Sequence, residues 1–340
     1  MLALEHWHIE SSSKCTLRCP RCPRLEVPDS LLHKQLDLNF FQQRLGVAWL
    51  NTVQRITFCG NDGDPIYTRD FVDTVSWIKR HRPDCSVVII TNGSYRDSEW
   101  WKDLAQTLNH YDEVHFSLDG WDQASNEKYR VNCNWASIVE GIKSFRQNNT
   151  KTILVWAAIA FRFNQSHLTQ MQEFANSLKF DVFQLTKSTK FGSHYPDAYG
   201  TEDLLQPTDK NLISSSHRFE RVCTNLSENT RPGLKLRDLY LSRIQNIDKH
   251  NSYPALCSVG TKGVFLNSRG EFYPCCWTAN RYEHNQNWID MAQSKFNLYE
   301  RSYNDIVNDP LWNTNFTTGL ECQTKCTRAK LLDLEHSLEW

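Results

Sequence analysis

The chain has 340 residues, balances 38 Lys and Arg against 39 Asp and Glu for a formal charge of −1, and is 40% hydrophobic. This length accommodates one large and one small domain, and the near-neutral balance excludes a basic domain built for nucleic acid, leaving only a local basic patch as a route to such a partner. No apolar stretch is long enough to span a membrane, and the start Met-Leu-Ala-Leu-Glu-His-Trp lacks the basic segment and apolar run of a signal peptide. Twelve cysteines are too sparse for a stapled secreted scaffold, so a reduced, cytoplasmic chain is expected. The many Trp, Tyr and Phe residues read as packing groups rather than a stacking platform.

In chain order, a strand-like run covers residues 6 to 11. The segment Lys14-Cys-Thr-Leu-Arg-Cys-Pro-Arg-Cys-Pro23 follows, and Asp37 or Asn39 is placed to cap the first helix. Short β-branched runs then alternate with amphipathic stretches. Strands are predicted over 55–59, 86–90, 113–118, 152–161 and 181–186. Helices are predicted over 70–80, 98–108, 134–147 and 166–178, the last capped by Ser166. This is the pattern of βα units on a parallel sheet. The repeats are too few for a closed eight-stranded barrel, and a partial (β/α)6 TIM-like barrel, α/β in class, is the simplest construction. A bridging segment spans 187–252, with His194, Tyr195, Tyr199, His217 and Cys223 and a helix predicted over 236–247. It reads either as part of a binding wall or as a linker packed on the barrel edge. A small C-terminal domain over 253–330 and a tail over 331–340 complete the chain.

The cysteines carry the chemistry. Cys15, Cys19 and Cys22 form a C-x3-C-x2-C set, three thiolates for a metal centre. A zinc knuckle would need a compact closed set of four, and no fourth cysteine stands nearby. Cys257 is followed by twelve residues, Gly270, four residues and Cys275, and then by Cys276, Cys322 and Cys326. Gly270 lies where strands over 263–266 and 271–273 must reverse through Asn-Ser-Arg-Gly, a turn that favours glycine for its positive φ. A zinc ribbon is the plainer reading of this second set. Cys59, Cys85 and Cys133 show no partner pattern.

The triplet and its place after the first strand resemble the radical S-adenosylmethionine (SAM) superfamily. The resemblance implies a [4Fe-4S] cluster on Cys15, Cys19 and Cys22 with one open iron that chelates SAM. One electron then cleaves SAM to methionine and a 5′-deoxyadenosyl radical, which removes a hydrogen atom from the substrate. By the same resemblance Asp62-Gly63-Asp64-Pro65 stands for the motif that binds the SAM amine, with Gly63 and Asp64 as contacts. Asn92 in Ile90-Thr-Asn-Gly93 follows the third strand. Ser117 and Asp119 face the ribose and amine side, and Arg130 pairs with the SAM carboxylate, which a guanidinium fork matches. The chain departs from the family at Arg21, where an aromatic or aliphatic residue is usual, and at Trp156-Ala-Ala-Ile-Ala160, which replaces a glycine motif.

The late cysteines resemble the SPASM/Twitch extension, in its shorter one-cluster Twitch form. This implies an auxiliary [4Fe-4S] cluster on Cys257, Cys275, Cys322 and Cys326, with Cys275 or Cys276 open as the hairpin ligand. A fully ligated second cluster moves electrons, so a two-electron oxidation of a small-molecule or peptide substrate is the expected outcome. Crosslinking of a peptide, or its epimerisation with Cys223 or Cys276 as hydrogen donor, is the alternative. Lys14, Arg18, Arg21 and Arg24 form a basic group around the first loop, suited to an anionic substrate or to reduced flavodoxin or ferredoxin as electron donor.

Overall fold

The computed structural model describes residues 4–25, 33–188, 190–192, 202–213, 218–223, 264–276, 278–279 and 286–313. The chain divides into two compact units. One comprises Met1–Ser13, His33–Val88 and Arg231–Trp340, and the other Lys14–Leu32 and Ile89–Thr230.

In the first unit, β1 (His6–Ile9) pairs in parallel with β2 (Arg55–Phe58) on one side and with β8 (Val264–Leu266) on the other, and β9 (Phe272–Tyr273) closes an antiparallel hairpin on β8. The hairpin expected around Gly270 therefore extends the sheet of the first strand, and Gly270 has the positive φ the turn demands, +77°. Between β1 and β2 run α1 (Leu38–Phe40), a π turn over Phe41–Leu45 and α2 (Gly46–Leu50). Asp37 caps α1 by accepting the Phe40 amide at 2.9 Å.

Alternation along β1 sorts its side chains. Trp7 meets Trp49 and Phe272 edge-on at 5.2 and 5.4 Å on the helix-covered face. His6, His8 and Glu10 take the opposite face. There His6 Nε2 lies 3.2 Å from Thr57 Oγ1 and His8 Nε2 lies 3.1 Å from the Cys59 carbonyl. Burial lowers the pKa of both rings, to about 4 at His8 despite the Cys59 carbonyl, while the charge of Arg55 adds to the effect at His6. α3 (Phe71–His81) covers the other face of β2 through the Phe58–Phe71 edge contact at 5.1 Å.

β3 (Ser86–Thr91) begins in the first unit and ends in the second. In the second unit, α4 (Ser98–Thr107) precedes β4 (Glu113–Ser117), and α5 (Gln123–Asn126) and α6 (Trp135–Asn148) follow it. β5 (Ile153–Ile159), α7 (Leu168–Ser177) and β6 (Val182–Lys187) complete the repeats. β4, β5 and β6 pair in parallel, and β7 (Arg218–Cys223) adds an antiparallel edge to β6. The caps are Asp97, Asp122 and Asn134, each accepting an amide of the first helical turn. α7 differs from expectation: its N-cap is His167, without a side-chain cap bond, and not Ser166. The core is aromatic, with Trp156 within 6.4 Å of Phe174, Phe180 and Phe183 and its indole N–H bonded to the Leu118 carbonyl at 3.0 Å.

The bridging segment was expected to hold a helix over 236–247, which lies outside the described residues, as do His194, Tyr195, Tyr199 and His217. β7 within that segment had no counterpart in the sequence reading. Among the described residues, no helix is long and apolar enough to cross a membrane.

Candidate functional site

The second unit holds the cysteine triplet. Its loop is wound by two successive turns, Cys22 N–H to the Cys19 carbonyl and Leu25 N–H to the Cys22 carbonyl, both 3.0 Å. The second runs into a short 3-10 turn over Pro23–Leu25. Proline suits this start because it has no amide proton to leave unpaired. The buried Arg24 guanidinium donates to the carbonyls of Cys15 and Leu17 at 2.7 and 3.4 Å. On the outer side, Arg18 N–H bonds the Val131 carbonyl at 3.0 Å and Asn132 Nδ2 bonds the Thr16 carbonyl at 2.8 Å.

Cys19 is buried, while Cys15 and Cys22 are half-buried. Asn92 Nδ2 stands 3.6 Å from Cys15 Sγ, and Arg130 Nη1 stands 4.0 Å from Cys19 Sγ. Asn92 is aimed by the Ser94 amide, which donates to its Oδ1 at 2.9 Å. Burial raises the pKa of the Cys19 and Cys22 thiols, against the opposing charge of Arg130 at Cys19 and the Arg24 amide at Cys22. Coordination to iron would reverse that balance, because a metal holds a thiol deprotonated. Soft sulfur donors with N–H groups turned toward them fit an iron–sulfur cluster. Among the described residues, no three His, Cys, Asp or Glu side chains converge on one point as a single metal ion requires; a four-iron cluster instead takes its cysteines at separate corners.

Arg130 was expected to meet a ligand carboxylate. Within the chain its Nε donates to Asp119 Oδ2 at 2.6 Å, while Asp119 Oδ1 accepts the Ile159 amide at 2.7 Å. Asp119 is fully buried, and burial raises its pKa against the pull of Arg130 and the Ile159 amide. Burial disfavours the Arg130 cation, yet the charges of Asp119 and Cys19 outweigh this and its pKa is raised. Asn126 anchors the same turn by accepting the amides of Asp119 and Gly120 at 2.9 and 3.2 Å, and its Nδ2 faces the Cys133 sulfur at 3.3 Å. Ser117 ends β4, opposite Ala157 on β5.

Arg21, the departure from the family pattern, is buried and grips Asp203 with both terminal nitrogens at 2.9 and 2.7 Å. It also donates to the Lys190 carbonyl. The basic group around the loop is therefore not a surface patch of four, since Arg21 and Arg24 are committed inside and Lys14 and Arg18 are exposed.

In the first unit, the loop Cys59–Pro65 packs against the exit of β1. A Cβ on Gly63 would fall 2.0 Å from the Ser12 carbonyl oxygen, so only glycine fits. Asp64 accepts the Ile66 amide at 3.2 Å and caps the turn over Pro65–Tyr67. Sequence reasoning missed Glu10. Its Oε2 accepts the amides of Asn61 and Asp62 at 2.7 and 3.0 Å, and its Oε1 accepts the Ser268 hydroxyl at 3.2 Å. The signal was present in the alternation His6-Trp-His-Ile-Glu10, which puts a carboxylate on the polar face at the strand's end.

Cys275 and Cys276 follow β9. The Cys275 sulfur faces Thr278 Oγ1 at 4.0 Å, whereas Cys276 packs on the apolar cluster of Phe265, Tyr273 and Ala292. Cys257, Cys322 and Cys326 lie outside the described residues. Of Cys223, the backbone pairs with Val182.

Residues 9–167 match the family described as the radical SAM superfamily. No curated protein sequence matches the chain. Among solved structures, the chain is similar to SuiB of Streptococcus suis bound to S-adenosylmethionine, with 16% identity and a TM-score of 0.55, covering 92% of this chain and 66% of that one. It is also similar to the tagged anSMEcpe with bound AdoMet, with 13% identity and a TM-score of 0.51, covering 98% of this chain and 81% of that one. The chain thus spans just under two thirds of the length of SuiB. These likenesses establish the fold, the partial (β/α)6 TIM-like barrel of α/β class.

Proposed function

We propose that this chain, whose residues 9–167 match the radical SAM superfamily, is an oxidoreductase that abstracts a substrate hydrogen atom and completes a two-electron oxidation with the help of an auxiliary [4Fe-4S] cluster. The observation that carries the reading is the C-x3-C-x2-C loop with Asn92 and Arg130 turned toward two of its three sulfurs. When bound, a three-cysteine [4Fe-4S] cluster and SAM supply one-electron cleavage to methionine and a 5′-deoxyadenosyl radical, the hydrogen-abstracting species.

The chain's own residues do the rest. Cys15, Cys19 and Cys22 hold the iron. Asn92 and Arg130 direct N–H groups at sulfur, which offsets thiolate charge and tunes the cluster. Asp119 fixes the Arg130 fork through Nε, so that its remaining N–H groups serve sulfur or a ligand carboxylate. Gly63 and Asp64 belong to the loop whose carbonyl and carboxylate oxygens suit an ammonium group, and Ser117 stands at the end of β4 on the ribose side. The auxiliary cluster is assigned to Cys257, Cys275, Cys322 and Cys326. The apolar packing of Cys276 supports Cys275 as the hairpin ligand.

The substrate is a small molecule or a peptide, the electron donor reduced flavodoxin or ferredoxin, and the setting cytoplasmic. The test is anaerobic incubation of the reconstituted protein with SAM and dithionite. Formation of 5′-deoxyadenosine, abolished in Cys15→Ala, Cys19→Ala and Cys22→Ala, supports the reading; its absence from the intact protein contradicts it.

A further inference from the structure

Glu10 is a buried carboxyl at the end of β1 that no step above uses. It is 2% exposed and joins two separate segments. From the loop Cys59–Pro65 come the amides of Asn61 and Asp62, and from the turn between β8 and β9 comes the hydroxyl of Ser268, itself 1% exposed. The same two segments meet again where Arg269 Nη1 lies 3.8 Å from Asp62 Oδ2. Arg269 is held in turn by Glu271 at 2.8 Å, and Tyr273 donates its hydroxyl to Glu271 at 3.0 Å.

We infer that Glu10 is a positioning residue for the loop Cys59–Pro65, setting the loop's oxygens for the ammonium group of an amino-acid ligand by holding two of its amides and tying them to the Asn267–Gly270 turn. The inference rests on the reading of this loop as the segment that binds the SAM amine. Two amides in succession on one carboxylate oxygen point the neighbouring carbonyls away from Glu10, and a charged acceptor makes those bonds stronger than a neutral one. The turn between β8 and β9 thereby becomes part of the loop's support.

Burial raises the Glu10 pKa to about 7, with the Asp62 charge adding to it and the two amides and Arg269 opposing. The charged groups around it are Asp62 from the loop and Arg269 with its partner Glu271 from the hairpin, while His8 on its own strand, with its pKa lowered to about 4, stays neutral over this range. Ionisation near neutrality tightens Glu10's grip on the amides and adds negative charge beside an ammonium site.

The experiment is a titration with SAM of the anaerobically reconstituted full chain, followed by the EPR signal of the reduced cluster, from pH 5.5 to 8.5. Glu10→Ala is expected to keep the iron content and the unliganded signal of the wild type and to need at least about tenfold more SAM. Glu10→Gln keeps an amide oxygen for both N–H groups and an amide N–H for Ser268, and is expected within about threefold of wild type at pH 6. The wild-type affinity is expected to rise as pH passes the Glu10 pKa of about 7, and that of Glu10→Gln is not. Wild-type affinity in Glu10→Ala, or the same inflection in Glu10→Gln, overturns the inference. Where Glu10→Ala fails to accumulate, the pH comparison with Glu10→Gln decides alone. A wild type that forms its cluster but shows no response to SAM at any pH overturns the radical SAM reading and, with it, this inference.

Discussion

Arg130 bonds Asp119 through Nε at 2.6 Å and turns Nη1 to the sulfur of Cys19 at 4.0 Å, so one buried carboxylate aims a cation at a cysteine of the C-x3-C-x2-C loop. The pair is internal to the fold, and its removal is felt twice. Asp119→Ala strands the guanidinium, and breaking a buried pair in this way costs about 3–5 kcal/mol. Urea denaturation should show a lowered midpoint. Arg130→Lys keeps the charge but loses the fork, so it should fold nearly normally while shifting the EPR signal of the reduced cluster.

Gly63 offers a steric prediction. A methyl group at this position meets backbone on β1's exit, not a side chain that can swing away. Gly63→Ala should destabilise by about 1–3 kcal/mol, as overpacking does, and should weaken SAM binding while the cluster still assembles. Equal SAM affinity in Gly63→Ala and wild type would separate the loop from the ligand.

The two adjacent cysteines after β9 should behave differently. Cys275→Ala should remove the second, SAM-insensitive EPR signal. Cys276→Ala, which trims an apolar contact on Phe265 and Tyr273, should keep that signal and lower the melting temperature modestly. The reverse result would transfer the ligand role to Cys276.

Stability should depend on pH from both sides through the inner face of β1. Glu10 has a raised pKa in the fold, about 7, so the folded state binds more protons than the unfolded chain between about pH 4.5 and 7 and loses stability as pH rises through that window. His8, lowered to about 4, acts in the opposite sense: stability present above the unfolded value of about 6.5 falls away as pH drops toward 4. Thermal melts should therefore show Glu10→Gln gaining on wild type from pH 5 to 8. A constant difference across that range would contradict the assignment.

Much of the barrel was legible because its signals are local. Each predicted βα strand from residues 55 to 186 recurs within a residue or two, since β-branched runs flanked by polar turns mark strands. The Asp37 cap and the Gly270 turn depend on neighbours in sequence and were equally readable. Ser166 failed as a cap because helix α7 starts two residues later, where His167 precedes Leu168. β7 was missed because its sequence Arg-Phe-Glu-Arg-Val-Cys is dominated by charge, and its partner β6 lies distant in sequence. The burial of Arg21 and Arg24 was hidden for a similar reason. Four cations in eleven residues read as a solvated patch, and only the fold reveals that Asp203 and the carbonyls of Cys15 and Leu17 claim two of them. Cys15, Cys19 and Cys22 stood out by spacing, whereas Glu10, which braces the loop Cys59–Pro65, carries no motif.

The proposal that Cys15, Cys19 and Cys22 hold a SAM-binding cluster is tested first by the iron, acid-labile sulfide and zinc content of the anaerobically reconstituted, dithionite-reduced protein, with its EPR spectrum before and after addition of SAM. Two four-iron clusters give about eight irons per chain, with one reduced signal perturbed by SAM and the other unchanged. Stoichiometric zinc without iron, or two signals that both ignore SAM, would contradict the proposal.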